Sequence, residues 1–206
     1  GLSFFYGGMV RAKNVISTML QSFIVMGVVS VIWVVFGFGL AFGDDWLHII
    51  GNPVDFFMFN NVGVQNVTAA ESERIATEVG GSIGLATTTI PLALFALFQM
   101  KFAIITPSLI TGSFAERVRF SGYLIFMILW VILVYCPLAH VTWHPDGLLA
   151  KWHVHDFAGG IVVHAASGVA ALAGALFLGK RPSTKDSKPA NVPFVLLGAA
   201  LLWLGW

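Results

Sequence analysis

Long apolar stretches separated by short polar segments dominate this chain. A helix that spans a bilayer needs about 20 largely apolar residues, and five stretches meet or approach that length. The predicted spans are 15–42, 83–114, 123–143, 157–178 and 192–206. This pattern predicts an all-α fold, a polytopic bundle of membrane helices that forms a single membrane domain over residues 1–206.

The two ends of the chain are also apolar. The opening residues, GLSFFYGG, are typical of the last turns of a helix, and the closing run LLGAALLWLGW has no polar flank after it. We therefore expect a domain that is incomplete at both ends, as a fragment of a longer membrane protein would be.

Alternate polar segments are basic. Eight of the eleven Lys and Arg residues lie in them: Arg11, Lys13, Arg117, Arg119, Lys180, Arg181, Lys185 and Lys188. The other segments are rich in Asp and Glu, above all the long stretch 43–81. Because loops rich in Lys and Arg stay in the cytoplasm, we predict a multi-pass protein of the cell membrane whose basic loops are cytoplasmic and whose acidic loops lie outside.

Composition supports a membrane protein and excludes several other classes. The chain is 57% hydrophobic and 10% charged, whereas a soluble domain has about 25% charged residues. A net charge of +1 and the lack of a basic run with interleaved aromatics give no indication of nucleic-acid binding. No phosphate-binding loop, dinucleotide fingerprint or nucleophile elbow is present, so we predict neither an enzyme nor a cofactor.

The span 83–114 has features that are unusual for a helix facing lipid. Pro91 and Pro107 free backbone carbonyls, which are tolerated where neighbouring helices or cavity water take up the lost bonds. Lys101 near the middle of a membrane costs about 2.5–3.5 kcal/mol on insertion scales. Phe98 and Phe102 are four residues apart and share one helix face, where such a pair serves in most helices as core packing.

A second unusual stretch is DFAGGIVVHAASGVAALAGALFLGKR, residues 156–181. Asp156 comes just before the apolar run, where its carboxylate can cap free backbone amides and meet the positive end of the helix dipole. His164 follows eight residues later, which in a continuous helix is about 12 Å along the axis. Intramembrane ionisable groups by default face a bundle interior or a pathway, so we expect His164 to line a pathway rather than to be a structural hydrogen bonder.

Aromatic and histidine residues cluster around AHVTWHPDG. Trp143 is explained equally well as part of the interfacial aromatic belt and as a face that binds a desolvated cation. A metal site is not expected, because no spacing matches a closed zinc pattern. The residues considered for it are His140, His144, His153, His155 and Asp146.

These motifs, in this order, closely resemble the ammonium transporters of the Amt/Mep/Rh family. The matching runs are FFYGGMVRAKNVISTMLQSF, FALFQMKFAIITPSLITGSFAERVRF, AHVTWHPDGLLAKW, D-F-A-G-G-x-V-V-H-x-x-S-G with L-G-K-R, and NVPFVLLGAALLWLGW. The resemblance implies a truncated portion of an eleven-helix fold, from the end of its first helix to the start of its sixth. It also implies a homotrimer with one narrow hydrophobic pore in each subunit.

The resemblance assigns roles to individual residues. Trp143, Phe102 and Asp156 match the outer recruitment site, where the tryptophan holds ammonium by cation–π contact and the acid helps to build the site. Phe102 is also similar to the first of two stacked gate phenylalanines, and Phe98 lies in the segment leading to it. His164 matches the first of the twin pore histidines, and its partner is expected beyond Trp206.

The implied function is transport of ammonium or ammonia, with methylammonium as an analogue. Ammonium is recruited outside, loses its proton near the gate and crosses the lipid bilayer as ammonia in a hydrophobic pore. The family also commonly meets PII-type signal proteins on its cytoplasmic face. Two alternatives stay open: an ammonium sensor of the same family, and an intramembrane haem-binding electron-transfer protein.

Three positions depart from the pattern of the family. Lys101 lies beside the gate, where a small or apolar residue is usual. His153 and His155 stand where small and apolar residues are expected just before Asp156. We expect these changes to affect rate and selectivity, and not the fold.

Overall fold

The structure is a computed structural model that describes residues 1–64, 90–181 and 188–206. In chain order its helices are α1 (Leu2–Met9), α2 (Ala12–Phe42), α3 (Leu92–Phe114), α4 (Phe120–Trp130, continued by Val131–Tyr135 and Cys136–Trp143), α5 (Leu148–Lys151), α6 (Gly160–Leu178) and α7 (Val192–Gly205). A two-stranded antiparallel ribbon, β1 (Asp45–Trp46) with β2 (Ile50–Gly51), is the only sheet in these ranges. The predicted all-α membrane bundle is confirmed.

Several helix boundaries differ from the predicted spans by a few residues, and at the start of α3 and of α6 the local sequence explains where the helix begins. Pro91 caps the start of α3 and does not lie inside the helix, while residues 83–89 of that predicted span lie outside the described residues. α6 begins at Gly160, later than the predicted 157, because Gly159 has φ +78°. That left-handed conformation suits glycine and cannot continue a right-handed helix backwards.

Three of the helices described above contain a π-helical turn: Trp33–Gly37 in α2, Val131–Tyr135 in α4 and Gly160–Ala165 in α6. Such wider turns are rare and are frequent at functional sites. Two of them meet, because the Trp33 and Tyr135 rings are 6.3 Å apart. The Trp33 indole N–H donates to the Ala96 carbonyl at 3.0 Å, so it also ties α2 to α3.

An aromatic core joins the end of α2 to the first turns of α3. The Phe38 ring lies 5.5 Å from that of Phe42 and 5.0 Å from that of Phe56, and the Phe42 and Phe95 rings are 5.1 Å apart. Tilted and edge-to-face pairs of this kind contribute about 0.5–1.5 kcal/mol each beyond their buried area. This core fixes one wall of the cavity described below.

At the opposite end of the bundle, the Glu116 carboxylate holds several connections between helices together. Its Oε1 accepts hydrogen bonds from the Arg11 backbone N–H at 2.9 Å, from Arg11 Nε at 3.1 Å and from Asn14 Nδ2 at 2.7 Å. Its Oε2 lies 3.7 Å from an Arg181 guanidinium nitrogen. One side chain therefore joins the α1–α2 connection, the α3–α4 connection and the residues after α6.

The first and last helices pack directly on each other. A Cβ at Gly198 in α7 would collide with the Phe5 backbone nitrogen of α1, and the Phe4 and Phe194 rings meet edge to face at 5.4 Å. Glycine is required at position 198 because the two backbones approach too closely for a side chain.

Candidate functional site

A cavity of about 250 Å³ lies at the end of the bundle where α2 and α4 finish. Its walls are largely aromatic, and a smaller number of polar side chains contribute to them. The lining residues are Phe38, Phe42, Phe56, Leu92, Phe95, Phe98, Gln99, Phe102, Trp143, His144, Pro145, Asp156 and Phe157. Four of the residues singled out in the sequence, Phe98, Phe102, Trp143 and Asp156, are therefore brought together in one cavity.

Three of the aromatic side chains form a continuous edge-to-face series. The Phe98 and Phe102 rings, one helical turn apart on α3, are 5.0 Å apart with planes at 81°. Phe102 in turn meets Trp143, the last residue of α4, at 5.9 Å and 65°. Ring faces on such a surface can attract a desolvated cation through the ring quadrupole.

Asp156 holds both the indole and the start of α6. Trp143 Nε1–H donates to the Asp156 carbonyl oxygen at 2.8 Å, which fixes the orientation of the indole. The Asp156 carboxylate accepts from the backbone N–H groups of Ile161 at 3.0 Å and Val162 at 3.1 Å. The expected capping is present, although Asp156 reaches these amides across the turn made by Gly159.

Two histidines at the end of α4 were not recognised as a pair from the sequence. The rings of His140 and His144 stack at 4.4 Å with planes 14° apart, and both are almost fully buried. His140 belongs to α4 and not to the following loop. His144 begins a turn, in which the Gly147 backbone N–H donates to the His144 carbonyl oxygen at 2.9 Å. Their i, i+4 spacing was the available signal.

His140 connects α4 to the segment after α2. Its Nδ1 lies 3.1 Å from the Ala41 carbonyl oxygen and its Nε2 lies 3.0 Å from Asp45 Oδ1. Because a backbone carbonyl only accepts, Nδ1 carries a proton and donates it. A further proton therefore lies between Nε2 and the Asp45 carboxyl group. The contact is either a charge-assisted hydrogen bond from the imidazolium to the carboxylate or a hydrogen bond from the neutral carboxylic acid to Nε2.

The acidic groups beside this pair have opposed pKa shifts. Burial raises the pKa of Asp45, but the hydrogen bond with His140 and the nearby His48 outweigh it, so the pKa is lowered. Burial raises the pKa of Asp44, and repulsion from Asp55 and Asp146 adds to that rise. Asp45 also contacts His48, with 2.7 Å between Oδ2 and Nδ1.

His164 does not line the aromatic cavity. Because α6 starts at Gly160, His164 lies four residues into the helix, and the continuous helix assumed for the expected position of about 12 Å along the axis does not extend back to Asp156. The side chain is exposed on this chain. Its ring lies 5.6 Å from that of Trp206, at the end of α7.

Lys101 also points away from the cavity. It directly precedes Phe102 on α3, but it is exposed and absent from the cavity lining. Lys101 and Phe102 therefore face different directions, because consecutive residues of a helix do not share a face.

Among the residues described there is no candidate metal cluster, and the buried histidine pair does not have the arrangement of two haem ligands. No group of three or more His, Cys, Asp or Glu side chains in these ranges has the arrangement of a metal site. The stacked rings of His140 and His144 are nearly parallel at 4.4 Å, whereas two axial haem ligands approach the iron from opposite sides.

The fold and the cavity define a polytopic helical membrane protein with an aromatic-lined site at one end. The sequence profile of the Ammonium Transporter Family matches residues 1–206. A curated ammonium transporter of Mycobacterium tuberculosis is 46% identical over 218 positions, which cover 100% of this chain and 45% of that relative. The chain therefore belongs to the ammonium transporter family, as its motifs predicted, and it spans less than half the length of that relative.

Two solved structures extend the comparison to the fold. The crystal structure of Candida albicans Mep2 has a TM-score of 0.80 and 31% identity, and the match covers 100% of this chain and 42% of that chain. A structure named Sensor Amt Protein has a TM-score of 0.77 and 28% identity, with coverage of 99% and 48%. The family is one of transporters and not of enzymes.

Proposed function

We propose that the complete protein transports ammonium or ammonia across the cell membrane and that the aromatic cavity is its outer recruitment site. The observation that carries this proposal is the joining of Phe102, Trp143 and Asp156 in one cavity. The Trp143 indole is fixed by its hydrogen bond to Asp156 at 2.8 Å, so its face is held ready for a cation. A desolvated cation on such a face gains about 2 kcal/mol.

Passage beyond this cavity follows from the same proposal. Ammonium loses water and then a proton near the gate, where Phe102 is the first gate ring and Phe98 precedes it. Ammonia then continues past His164, which we assign to the pore with a partner histidine from outside residues 1–206. Support comes from the match to the relative, of which this chain covers 45%, and from the exposed His164 ring.

Sidedness and partners belong to this proposal as well. The connections joined by Glu116 contain Arg11, Arg117 and Arg181, and basic connections of this kind stay in the cytoplasm. The aromatic cavity lies at the other end of α2 and α4 and therefore faces outward. A homotrimer in a lipid bilayer, and a PII-type signal protein on the basic face, complete the proposed assembly.

An ammonium sensor is the second candidate function. One solved structure similar to this chain is named Sensor Amt Protein, with 28% identity and a TM-score of 0.77. A sensor binds ammonium without sustained flux, so methylammonium uptake by the complete protein in proteoliposomes separates the two functions. Net uptake above that of empty vesicles supports a transporter, and saturable binding without uptake supports a sensor.

Replacing the recruitment tryptophan tests the outer site. We expect Trp143→Leu to raise the apparent KM for methylammonium about 30-fold, which corresponds to the loss of about 2 kcal/mol of cation–π attraction. The matched control is Trp152→Leu, because Trp152 is exposed and does not line the cavity. Equal kinetics in the two variants would identify Trp143 as a residue of the interfacial belt only.

A further inference from the structure

A single buried histidine is joined to two walls of the aromatic cavity. Phe38 and Phe42, near the end of α2, belong to one wall, and Trp143 and His144, at and just after the end of α4, belong to the other. His140 is fully buried, with 0% of its surface exposed, and is not among the residues that line the cavity. The polar and stacking contacts of its ring lead to both walls.

On the α2 side, His140 binds the chain before and after Phe42. Its Nδ1–H donates to the Ala41 carbonyl oxygen at 3.1 Å, and its Nε2 lies 3.0 Å from Asp45 Oδ1. Ala41 directly precedes Phe42, and Asp45 follows three residues after it. The α2 wall is therefore held at two points that flank one of its cavity rings.

On the α4 side, the same ring supports the residue that follows Trp143. The His140 and His144 rings stack at 4.4 Å with planes 14° apart. The His144 backbone N–H also donates to the His140 carbonyl oxygen at 3.0 Å, so the last turn of α4 stays closed where it meets the cavity. Because the His140 ring is stacked on His144 and bonded through both of its nitrogens, it has little freedom to move.

The contact between His140 and Asp45 contains one shared proton in either of its forms. Imidazolium with carboxylate and neutral imidazole with carboxylic acid both have a net charge of zero. A lone buried imidazolium would repel a cation in the neighbouring cavity, whereas this pair adds no net charge. The hydrogen bond is therefore suited to the support of a cation site.

We propose that His140, held by Asp45, is a positioning residue of the aromatic cavity and fixes the wall of Phe42 relative to the wall of Trp143. The inference rests on the proposed function, because it takes the cavity as the site that recruits the cation. Walls that are held in place before a guest arrives bind it with a smaller loss of side-chain freedom. The contact should therefore act on the affinity for the recruited cation and leave passage beyond the cavity unchanged.

Two substitutions of Asp45 separate positioning from other effects. Asp45→Asn supplies an amide N–H for the lone pair of a neutral His140 Nε2, so the hydrogen bond and the zero net charge of the pair are both kept. Asp45→Ala removes the partner of Nε2. We expect Asp45→Ala to raise the apparent KM for methylammonium about threefold to tenfold, as the loss of one hydrogen bond predicts, and Asp45→Asn to stay within about twofold of the unaltered protein.

The matched control is His48→Ala. His48 is the exposed partner of the same carboxylate, with 2.7 Å between its Nδ1 and Asp45 Oδ2, and it does not line the cavity. This variant removes the outward contact of Asp45 and keeps the contact with His140, so the apparent KM should stay within about twofold, as for other surface substitutions. An equal rise of KM in His48→Ala and Asp45→Ala would assign the effect to the surface of the ribbon and overturn the proposal.

Uptake by the complete protein in proteoliposomes measures the apparent KM and the maximal rate separately. A role in stability alone would lower the amount of folded protein, so Asp45→Ala would lose maximal rate at an unchanged KM, and that result rejects positioning. A raised KM in a folded Asp45→Asn variant rejects it as well. If Asp45→Ala does not fold, His140→Phe, which keeps a ring for stacking and removes both hydrogen bonds, takes its place with the same expected rise of KM.

Failure of this inference is distinguishable from failure of the proposed function. Uptake by the unaltered protein with an unchanged KM in Asp45→Ala rejects positioning and leaves transport intact. Uptake by the unaltered protein no greater than that of empty vesicles rejects transport, and equilibrium binding of radiolabelled methylammonium to the same variants then decides. A Kd that rises in Asp45→Ala and not in Asp45→Asn supports positioning, and equal Kd values reject it.

Discussion

At the scale of single residues, Asp156 uses different atoms for its two contacts. Its backbone carbonyl accepts from Trp143, and its carboxylate accepts from the first amides of α6. Any residue at position 156 would retain the carbonyl, so in the proposed recruitment site the carboxylate would act through the position of α6 and through its charge. Part of that charge is balanced by the positive end of the helix dipole.

Lys101 gives a prediction at this scale. The side chain is exposed and lies outside the cavity, so Lys101→Met should leave the apparent KM for methylammonium within about twofold, as is normal for substitutions away from a site. Uptake kinetics in proteoliposomes measure this effect. A several-fold rise in maximal flux in the Met variant would show that Lys101 reaches the conduction path after all.

Individual cavity residues differ in how far the sequence predicted them. Phe98 and Phe102 follow from i, i+4 spacing on a helix, because both lie within the regular part of α3. The i, i+4 spacing of His140 and His144 was a signal for a pair, but the position of His144 also depends on the turn after α4, which spacing alone does not predict. The family resemblance matched Trp143 and Asp156 to one outer site, but only the structure revealed the hydrogen bond between them.

At the scale of elements, apolar length predicted the helices well and their ends less well. The start of α6 was placed too early because the conformation of Gly159, with φ +78°, cannot be read from an apolar run. The π-helical turns were also unforeseen, since hydropathy does not distinguish a π turn from an α turn. These local departures changed the expected position of His164 along its helix although the spans themselves were close.

The Glu116 carboxylate gives a prediction at the scale of elements. Burial raises the pKa of Glu116, but hydrogen bonds from Asn14 and Arg11 outweigh it and the pKa is lowered below its ordinary 4.5. A carboxyl group whose pKa is lower in the folded state stabilises the fold above its unfolded pKa, and this stabilisation is lost as pH falls through the folded pKa. Below pH 4.5, protonation of Glu116 should therefore weaken the contacts by which it holds the connections between helices together.

Thermal unfolding of the complete protein in detergent measures this effect. We expect Glu116→Gln to lower the apparent Tm by several degrees near neutral pH, because two or more charge-assisted hydrogen bonds are weakened. The difference between the variant and the unaltered protein should shrink as the pH drops below 4.5. Arg119→Gln, a change of an exposed charge in the same connection, is the control, and an equal loss of Tm in that variant would assign the effect to substitution in this connection rather than to the contacts of Glu116.

At the scale of the whole molecule, the two regions that we propose as functional, the aromatic cavity and the surroundings of His164, differ in how far the described residues enclose them. The aromatic cavity is walled by residues from α2, α3, α4 and the segments around them. His164 instead lies on an exposed face of α6, next to Trp206. Because the chain spans 45% of the curated relative, we expect the cavity residues to be largely preformed in these helices and the surroundings of His164 to depend on the rest of the protein.

The proposed pore role of His164 is tested by removing its ring from the complete protein. Once the remaining helices cover it, a neutral imidazole would supply the polar contact for ammonia in an otherwise apolar path. We therefore expect methylammonium uptake in His164→Ala to fall to the level of empty vesicles, while the outer site keeps its affinity for ammonium. Trp152→Leu replaces an exposed side chain outside the cavity and should retain uptake. Normal flux in His164→Ala would remove His164 from the pathway and limit the proposal to the aromatic cavity, because no other contact described in this chain ties His164 to transport.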